Sequence, residues 1–378
     1  SPFYCRPLVK ALREAGADAE LASPQLYLEP GLEPDYSPSP WVVDLTVRVS
    51  RPRAVRLAAR AVDLSWNFPR LLRAIRHNRY DVVHVQWIPL QEKQSIFMSR
   101  LRAACGRASI PLVFTAHNVM PHDSPGANRG MVRKNIDLAH LVIAHTENVA
   151  DGLRCELGVR TKITVIPHAP LFIDLHLPSR EDARARLSLG NDPVLLFQGR
   201  IEPYKGIDVL VETWPLVREV FPTAVLAVVG RSGTEEVRSQ LARLAQEPGV
   251  RIVDAFVPTA LMLDYYAASD VVVFPYKAIS QSGALMTAVG LGRPAVVTSI
   301  PGFLEQARDL GSVLVAAGSD GTAVARAVCR ALADRDHLAD EAARDRLRIR
   351  ESSRGWPAVA RSTLDAYARA RAGLVAAG

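Results

Sequence analysis

Two stretches of this chain constrain its fold more than any others, because each combines the pattern of a buried strand with a turn suited to anions. In the first, the run VLLFQ is followed by Gly199 and Arg200 and then by Lys205 and Gly206. A continuous apolar run is typical of a parallel strand that is covered on both faces. Arg200 offers a fork of donors and Lys205 a mobile charge, so the turn predicts a site for a diphosphate.

The position of Lys205 strengthens this interpretation, because it lies directly before the predicted helix Ile207–Phe221. A cation is poorly placed at the positive, amino-terminal end of a helix dipole. An anion bound between the lysine and the helix would offset the repulsion, and the amides at a helix start favour such an anion. Phosphate binding is therefore the best explanation of this turn.

The second stretch, residues 270–305, has the pattern of a strand, DVVVFP, then a polar turn, a helix of small residues and another apolar strand. Gly283 permits close approach of the backbone to a ligand. The amides of Ser282, Gly283 and Ala284 open the helix and are suited to the same diphosphate. A tight turn with a helix cap would explain these three residues without a ligand.

Strand and helix patterns alternate along most of the chain, which indicates βαβ units and parallel sheets. The alternation starts near Tyr80, stops in a stretch that contains several prolines, and begins again at VLLFQ. We predict an α/β fold of two doubly wound, Rossmann-like domains, at residues 1–170 and 193–352, with a linker at 171–192 and a final helix in 353–378. If the domains face each other, the carboxyl ends of both sets of strands border one cleft, where a ligand should lie.

These elements resemble the retaining glycosyltransferases of family 4, which have the two-domain GT-B architecture. The resemblance covers most of the chain. It is carried by Gly199-Arg200 with Lys205-Gly206, Asp270–Pro275, Gly292-Arg293-Pro294, Pro301-Gly302-Phe303-Leu304-Glu305, Phe114-Thr115-Ala116-His117-Asn118, Val165-Ile166-Pro167 and the region of Trp356. The resemblance implies an acceptor-binding first domain, a second domain that binds a nucleotide-sugar, and a final helix that crosses back to the first domain. Relatives begin with a strand and a glycine-rich loop, so we expect the first strand to be missing from residues 1–170.

The strand ends and the resemblance together indicate the site residues. His117 follows the strand LVFTA, and by resemblance it contacts the transferred sugar; we assign His117, Arg200 and Lys205 to catalysis. Gly230 and Val257 end the two next strands, where their backbone would flank the base. The donor-binding set is Gly199, Arg200, Lys205, Gly230, Val257, Gln281, Ser282, Gly283, Ala284, Thr287 and Glu305. The acceptor-binding set is His84, Gln86, His117, Asn118 and His122. A structural role explains His84, Gln86 and His122 equally well.

The chain departs from the family pattern in one place. Family members usually carry two glutamates eight positions apart, and here the aligned residues are Ile279 and Thr287. The second glutamate commonly holds the ribose, which leaves this role to the Thr287 hydroxyl or to Glu305. The histidines show no metal-ligand spacing such as HExxH, and the resemblance implies a reaction that needs no metal or other cofactor.

The charge balance limits the partners. The chain has 378 residues, a formal net charge of +7 and a pI near 9.4, which favours anionic partners. Arginines interleaved with apolar and aromatic residues concentrate in Arg48–Arg79, and such a helix can lie on an anionic membrane surface. A solvated arginine face explains the same pattern. Nucleic acid is disfavoured as a partner, because no recognition module accompanies the charge.

Other features of the composition favour a cytoplasmic protein, either free or associated with a membrane. The four cysteines lack CxxC spacing, and no apolar run is long enough to cross a bilayer. The opening SPFYCRPLVKAL has the pattern of a loop that enters a helix rather than of a secretory signal. The Ala- and Arg-rich composition is typical of bacteria with GC-rich genomes.

These features predict a retaining glycosyltransferase that moves a sugar from a nucleoside diphospho-sugar to a hydroxyl group of a lipid, saccharide or natural product. Two alternatives stay open on the same fold. One is a nucleotide-sugar epimerase, which needs no acceptor. The other is a non-catalytic protein that binds a nucleotide-sugar, which the missing glutamates make conceivable. An NAD-dependent enzyme is disfavoured because no GxGxxG follows a strand.

Overall fold

The chain forms two compact units. The first comprises Ser1–Pro167 together with Trp356–Gly378, and the second comprises His168–Gly355. The computed structural model describes residues 2–22, 42, 53–77, 80–86, 94–120 and 128–376. The first unit is discontinuous in sequence, because the end of the chain belongs with its amino-terminal part.

A parallel sheet forms the centre of the first unit, with its described strands in the order β1-β2-β3-β4. The strands are Val83–Val85 (β1), Leu112–Ala116 (β2), Leu141–Ala144 (β3) and Ile163–Val165 (β4). The helices before and between them are Pro2–Glu14 (α1), Arg53–Arg76 (α2), Gln94–Arg107 (α3), Arg129–Ile136 (α4) and Glu147–Asp151 (α5), which a π-helical turn, Gly152–Glu156, continues.

A parallel sheet of six strands forms the centre of the second unit, in the order β10-β9-β8-β5-β6-β7. The strands are Val194–Gln198 (β5), Val225–Val229 (β6), Val250–Val253 (β7), Val271–Phe274 (β8), Ala295–Val297 (β9) and Val313–Val315 (β10). The helices are Arg180–Arg186 (α6), Ile207–Val220 (α7), Glu235–Leu244 (α8), Thr259–Ala268 (α9), Gly283–Gly290 (α10), Pro301–Gln306 (α11), Gly321–Ala333 (α12) and Arg335–Glu351 (α13).

The strand order of the second sheet reverses between β5 and β8. The chain adds β6 and β7 on one side of β5, and then adds β8, β9 and β10 on the other side. The residues of β8 and the apolar residues of β5 are buried, as their sequences predict. In open α/β sheets, ligands usually bind in the crevice outside the carboxyl ends of the strands at such a reversal. Here this crevice is the place at the carboxyl ends of β5 and β8.

The last helix of the chain, Trp356–Val375 (α14), lies in the first unit and packs against α1. Tyr4, Leu8 and Leu12 of α1 are buried, and the ring centroids of Tyr4 and Trp356 are 5.4 Å apart. The opening residues, predicted as a loop that enters a helix, are helical from Pro2 onward. Tertiary contacts explain this helix, because α14 covers its apolar side.

Residues 171–192, predicted as the linker, lie within the second unit. A Cβ on Gly290 would lie 2.1 Å from the carbonyl oxygen of Leu171, so this stretch contacts α10 directly. The buried Arg184 of α6 donates to Asp270 at 2.9 Å, and Asp270 also accepts from the Val194 amide at 2.7 Å. Close packing and a buried ion pair therefore hold the stretch against the second sheet.

The predicted α/β class is confirmed by two parallel sheets with helices between their strands. Each strand of the second sheet consists mainly of Val, Leu, Ile and Ala, which suits burial on both faces. Across the described ranges, every helix is too short or too polar to cross a bilayer.

We expect Asp270→Ala to destabilise the second unit by about 3–5 kcal/mol, because Arg184 would stay buried without its counter-charge. Urea unfolding would measure the loss. Asp264→Ala is the matched control: it removes an ion pair with the half-exposed Arg186 and should have a much smaller effect. Equal losses in the two variants would contradict the role assigned to Asp270.

Candidate functional site

The loops that follow β5 and β8 meet at the crevice between these strands. Gly206 has a φ of 72°, and a Cβ at this position would lie 1.8 Å from the carbonyl oxygen of Pro275. The amide of Lys277 donates to the carbonyl oxygen of Tyr204 at 2.8 Å. Glycine is required at position 206, because a side chain would clash with the β8 loop and strain the left-handed backbone.

Two further glycines near Lys205 allow close backbone contacts because they have no side chain. Gly199 and Gly230 have φ values of 129° and 149°. A Cβ on Gly230 would lie 1.9 Å from the Gly199 carbonyl oxygen, and a Cβ on Gly199 would lie 3.0 Å from the Nζ atom of Lys205. The ends of β5 and β6 therefore approach closely, and the ammonium group lies against bare backbone.

Lys205 is a buried cation with only 8% of its surface exposed, and its Nζ atom lies 5.2 Å from the centroid of the Tyr276 ring. Burial lowers the pKa of Lys205 to about 8; attraction to Glu202 opposes this shift and repulsion from Arg200 adds to it. The Nε atom of Arg200 lies 2.5 Å from Oε1 of Glu202. Arg200 and Lys205 thus share one carboxylate, and a bound anion would favour the charged lysine.

The start of α10 adds backbone donors to these two cations. Ser282 caps the helix, since its Oγ accepts from the Leu285 amide at 3.1 Å. The Ser282 amide itself donates to Oε1 of Gln306 at 2.7 Å. The amides of Gly283 and Ala284 lie in the first turn, where no helical carbonyl group is available to them. They can therefore donate to an anion.

The two residues considered for the ribose differ in what their side chains do. The Thr287 hydroxyl donates to the Gly283 carbonyl oxygen at 2.9 Å within α10, so its proton is already used. Glu305 is half-buried on α11, and Gln281 is half-buried in the turn before α10. A Cβ on Gly302 would lie 2.2 Å from the Ile279 carbonyl oxygen, which brings the start of α11 against this turn. Glu305 is the better candidate.

Val257 does not end a strand, contrary to the sequence interpretation. Strand β7 ends at Val253, and Val257 lies in the loop before α9. The Asp254 carboxylate accepts from the amide and the hydroxyl of Ser232, each at 2.7 Å. This loop is therefore tied to the one that follows Gly230, at the same edge of the sheet.

In the first unit, two histidines follow neighbouring strands. The register pairs Ala116 with Ala144 at the ends of β2 and β3. His117 and His145 therefore lie side by side, with ring centroids 5.2 Å apart. Nδ1 of His145 donates to the Ile166 carbonyl oxygen at 2.9 Å, and burial lowers the pKa of His145 to about 4. His145 is neutral near pH 7, whereas His117 is only half-buried.

Tyr4 of α1 packs against both histidines. Its ring centroid is 5.8 Å from that of His117 and 5.0 Å from that of His145, in edge contacts. Burial raises the pKa of Tyr4 far above its ordinary value, so the phenol stays protonated. The sequence analysis did not select Tyr4, because α1 is remote from β2 in the chain and carries no motif.

His84 is fully engaged within the first unit. Its Nδ1 lies 2.7 Å from the Tyr367 hydroxyl of α14, and its Nε2 lies 2.7 Å from Oγ1 of Thr115. Burial lowers the pKa of His84 to about 3, with His145 adding to the shift, so the ring is neutral. The amide nitrogen of Gln86 lies 3.1 Å from the same ring. These bonds link α14 to the sheet, which agrees with the structural role that the sequence left open for His84; its part in acceptor binding stays a prediction.

Asn118 and His122 are the remaining positions predicted to bind the acceptor. Asn118 follows His117 and is half-buried. His122 lies outside the described residues. Within the described part of the chain, no group of three or more His, Cys, Asp or Glu side chains could hold a metal ion. Glu202 and Tyr276 contribute to the surroundings of Lys205 and were missed; an acidic residue inside a cationic turn was the available signal for Glu202.

The two halves of the chain match two family models. Residues 3–169 match the model described as Glycosyltransferase Family 4, and residues 192–334 match the model described as Glycosyl transferases group 1. The chain belongs to the glycosyltransferase family that these models describe. The resemblance seen in the sequence motifs is thereby confirmed.

Individual relatives agree with this family but are distant. A D-inositol 3-phosphate glycosyltransferase of Geodermatophilus obscurus is 29% identical over 288 residues, which cover 70% of this chain and 62% of the relative. A GDP-mannose:glycolipid 4-beta-D-mannosyltransferase of Xanthomonas campestris pv. campestris is 28% identical over 232 residues, which cover 58% of this chain and 61% of the relative. The chain therefore spans less than two thirds of the length of these two relatives.

Solved structures share the fold of the chain. A sucrose-phosphate synthase from Thermosynechococcus elongatus has a TM-score of 0.70 at 20% identity, covering 99% of this chain and 93% of that one. HepE of Anabaena, in complex with UDP and glucose, has a TM-score of 0.64 at 18% identity, covering 80% of this chain and 81% of that one. These likenesses support the GT-B fold class.

The lowered pKa of Lys205 predicts a pH dependence of anion binding. The folded unit holds this proton with a pKa of about 8 against an ordinary value of 10.5, so between these values the unfolded chain binds more protons and the stability of the free protein rises with pH. A diphosphate beside Lys205 would favour the protonated, positively charged side chain. We therefore expect the rise in melting temperature caused by UDP or GDP to shrink as the pH passes through about 8.

Lys205→Ala should lack this pH step, and Lys162→Ala, which removes an exposed lysine of the first unit, should keep it. Thermal denaturation at pH 7 and pH 9.5 with and without nucleotide measures both. A step of the same size in Lys205→Ala would show that another group titrates.

Proposed function

We propose that the chain is a retaining glycosyltransferase that moves a sugar from a nucleoside diphospho-sugar to an acceptor hydroxyl without a metal. The observation that carries the proposal is the buried Lys205 at the β5–β8 crevice, next to Arg200 and to the bare backbone of Gly199. A buried ammonium group with a lowered pKa lacks enough negative charge around it, and the diphosphate of a donor would supply that charge.

In the proposed reaction, the bond between the sugar's anomeric carbon and the diphosphate oxygen breaks, and a bond to the acceptor oxygen forms on the same face. The acceptor's proton goes to the leaving phosphate. Arg200 and Lys205 stabilise the charge that grows on the diphosphate, together with the amides of Gly283 and Ala284. A protein nucleophile is not needed on this route. Glu202 is paired with Arg200, which disfavours it as a nucleophile.

The relatives guide the choice of substrates to test. One is named for D-inositol 3-phosphate and another for GDP-mannose and a glycolipid, while a structural neighbour is solved with UDP and glucose. We propose a UDP- or GDP-sugar as donor and a hydroxyl group of a lipid, saccharide or natural product as acceptor. We assign recognition of the acceptor to the first unit, where His117 would contact the transferred sugar.

Two other functions fit the same fold and are separated by the products formed. A nucleotide-sugar epimerase would convert its donor without any acceptor. A non-catalytic binding protein would be stabilised by nucleotide and would form no product. We favour the glycosyltransferase over the second because a buried cation with a lowered pKa suits a leaving group whose negative charge grows during the reaction.

We expect Arg200→Ala and Lys205→Ala each to lower turnover about a hundredfold, because each removes a donor that stabilises the leaving group. Arg243→Ala, at an exposed position on α8, is the control and should keep wild-type turnover. The assay follows donor consumption and glycoside formation, with the anomeric configuration of the product read by NMR. Near-full activity in both site variants would overturn the residue assignment, and an inverted product would overturn the retaining course.

We further propose that the exposed side of α2 contacts anionic membranes, so that the enzyme could reach lipid acceptors. Trp66 is 54% exposed, and the Arg70 guanidinium carbon lies 4.5 Å from the centroid of its ring. Val62, Arg73 and Trp66 follow helical spacing on the exposed side of α2. An exposed tryptophan among arginines suits the interface of an anionic bilayer. The other residues of Arg48–Arg79 lie partly outside the described residues.

Cosedimentation with phosphatidylglycerol vesicles tests this contact. We expect binding that falls with salt, is absent with phosphatidylcholine vesicles, and weakens several-fold in Trp66→Ala. Leu347→Ala removes an equally exposed apolar side chain from α13 and should bind like the wild type. Equal binding by all three proteins would rule out α2 as the contact surface.

A further inference from the structure

Arginines gather at the edge of the second sheet that lies opposite Lys205. Four of them, Arg180, Arg184, Arg293 and Arg346, surround the amino-terminal ends of β8 and β9, and we call them the arginine cluster. Asp270, whose side chain is 2% exposed and which directly precedes β8, forms ion pairs with two of them, Arg180 and Arg184. Two charge-paired and two further guanidinium groups in one partly buried place leave an excess of positive charge there.

The carboxylate of Asp270 is already fully used. One oxygen accepts from Arg180, and the other accepts from Arg184 at 2.9 Å and from the Val194 amide at 2.7 Å. Arg184 also donates to the carbonyl oxygens of Ala268, Gly190 and Asp192. Arg180 and Arg184 therefore neutralise Asp270 between them, and the other two members of the cluster receive no ion pair from it.

Arg293 is the member with the fewest bonds. Its Nη1 reaches the Ser269 carbonyl oxygen at only 3.5 Å, and its Nε is buried without a hydrogen-bond partner among the described residues. Burial lowers the pKa of Arg293 to about 10; repulsion from Arg180 and Arg346 adds to the shift, and the attraction of Asp270 opposes it without forming an ion pair. A guanidinium group is rarely left in this condition, because desolvating an uncompensated charge is costly.

Arg346 of α13 lies beside Arg293. A Cβ on Gly292, the residue before Arg293, would be 3.5 Å from Cδ of Arg346. The Nη2 of Arg346 donates to the carbonyl oxygens of Ile173 and Leu175 at 2.7 and 2.6 Å. These bonds fix the plane of the guanidinium group. Among the described residues, Arg346 forms no ion pair with a carboxylate, although Asp174 attracts its charge. The group is thus held in place before any ligand arrives.

We propose that the arginine cluster is a second anion site, in which Arg180, Arg293 and Arg346 bind a phosphate-type anion. Such an anion carries up to two charges and several acceptor oxygens, which matches guanidinium groups that approach from different elements. A phosphate-type anion also carries more charge and more acceptor oxygens than the single carboxylate that Asp270 supplies. Because β8 and β9 begin here and end at the crevice, the cluster is distinct from the nucleotide site and does not depend on the proposed transfer reaction.

The test measures binding of inorganic phosphate by calorimetry to the Arg200→Ala/Lys205→Ala double variant, in which the crevice has lost its cations. We expect saturable binding of one phosphate and a rise in melting temperature that chloride at equal ionic strength does not produce. Adding Arg293→Gln should weaken this binding about tenfold or more, since a charge-assisted bond is lost. Adding Arg243→Gln, at an exposed position on α8, should change nothing.

Arg180→Gln gives an independent check, because Arg184 continues to neutralise Asp270 and the variant should fold. It should weaken phosphate binding as well. The proposal is overturned if the double variant binds no phosphate, or if Arg180→Gln and Arg293→Gln bind it as tightly as their parent. Cosedimentation with phosphatidic acid vesicles that is lost in Arg293→Gln would identify a lipid headgroup as the source of the anion, and its absence beside intact phosphate binding would identify a soluble phosphate.

Discussion

The second unit depends on the pairing of β5 with β8, two strands that the chain reaches far apart in sequence. Asp270 holds their amino ends through the Val194 amide and Arg184, and the contact of Gly206 with the Pro275 carbonyl group holds their carboxyl ends. Because both ends of the β5–β8 pair are held in this way, the two loops at the carboxyl ends lie at a fixed distance from each other. Lys205, which belongs to the loop after β5, is buried between them. The strand pairing, and not the loop alone, therefore positions the ammonium group.

The charge of the chain is distributed in a way that composition does not reveal. The formal net charge of +7 shows only a general preference for anionic partners. Lys205 and Arg293, in contrast, are individual cations whose pKa values are lowered by burial. Each lowered pKa means that the ligand-free fold is less stable than it would be with a neutral side chain at that position. If anions bind as proposed, anion binding and stability are linked at both edges of the second sheet.

Sequence reasoning succeeded where the signal was local. Long apolar runs placed the strands, and the glycines and cations after VLLFQ marked a turn in which the backbones approach closely beside a buried lysine, because these features are encoded within a few residues. That this turn binds an anion stays a prediction. It failed where the deciding partner came from a distant element. The Tyr367 hydroxyl forms a hydrogen bond with His84. The opening residues are helical and pack against α14. The Thr287 hydroxyl was considered for the ribose, and its bond to the Gly283 carbonyl group one helical turn earlier was not foreseen.

The discontinuity of the first unit has a consequence for biosynthesis. Tyr4 emerges from the ribosome early, yet its neighbour Trp356 is made only after the whole second unit. During synthesis, the apolar side of α1 stays without α14, the helix that covers it, while His168–Gly355 folds as a continuous segment. Domains tend to fold as units during translation, and contacts between distant residues form late. His117 and His145, which lie next to Tyr4, would then reach their final packing last, after the crevice between β5 and β8 of the second unit has formed.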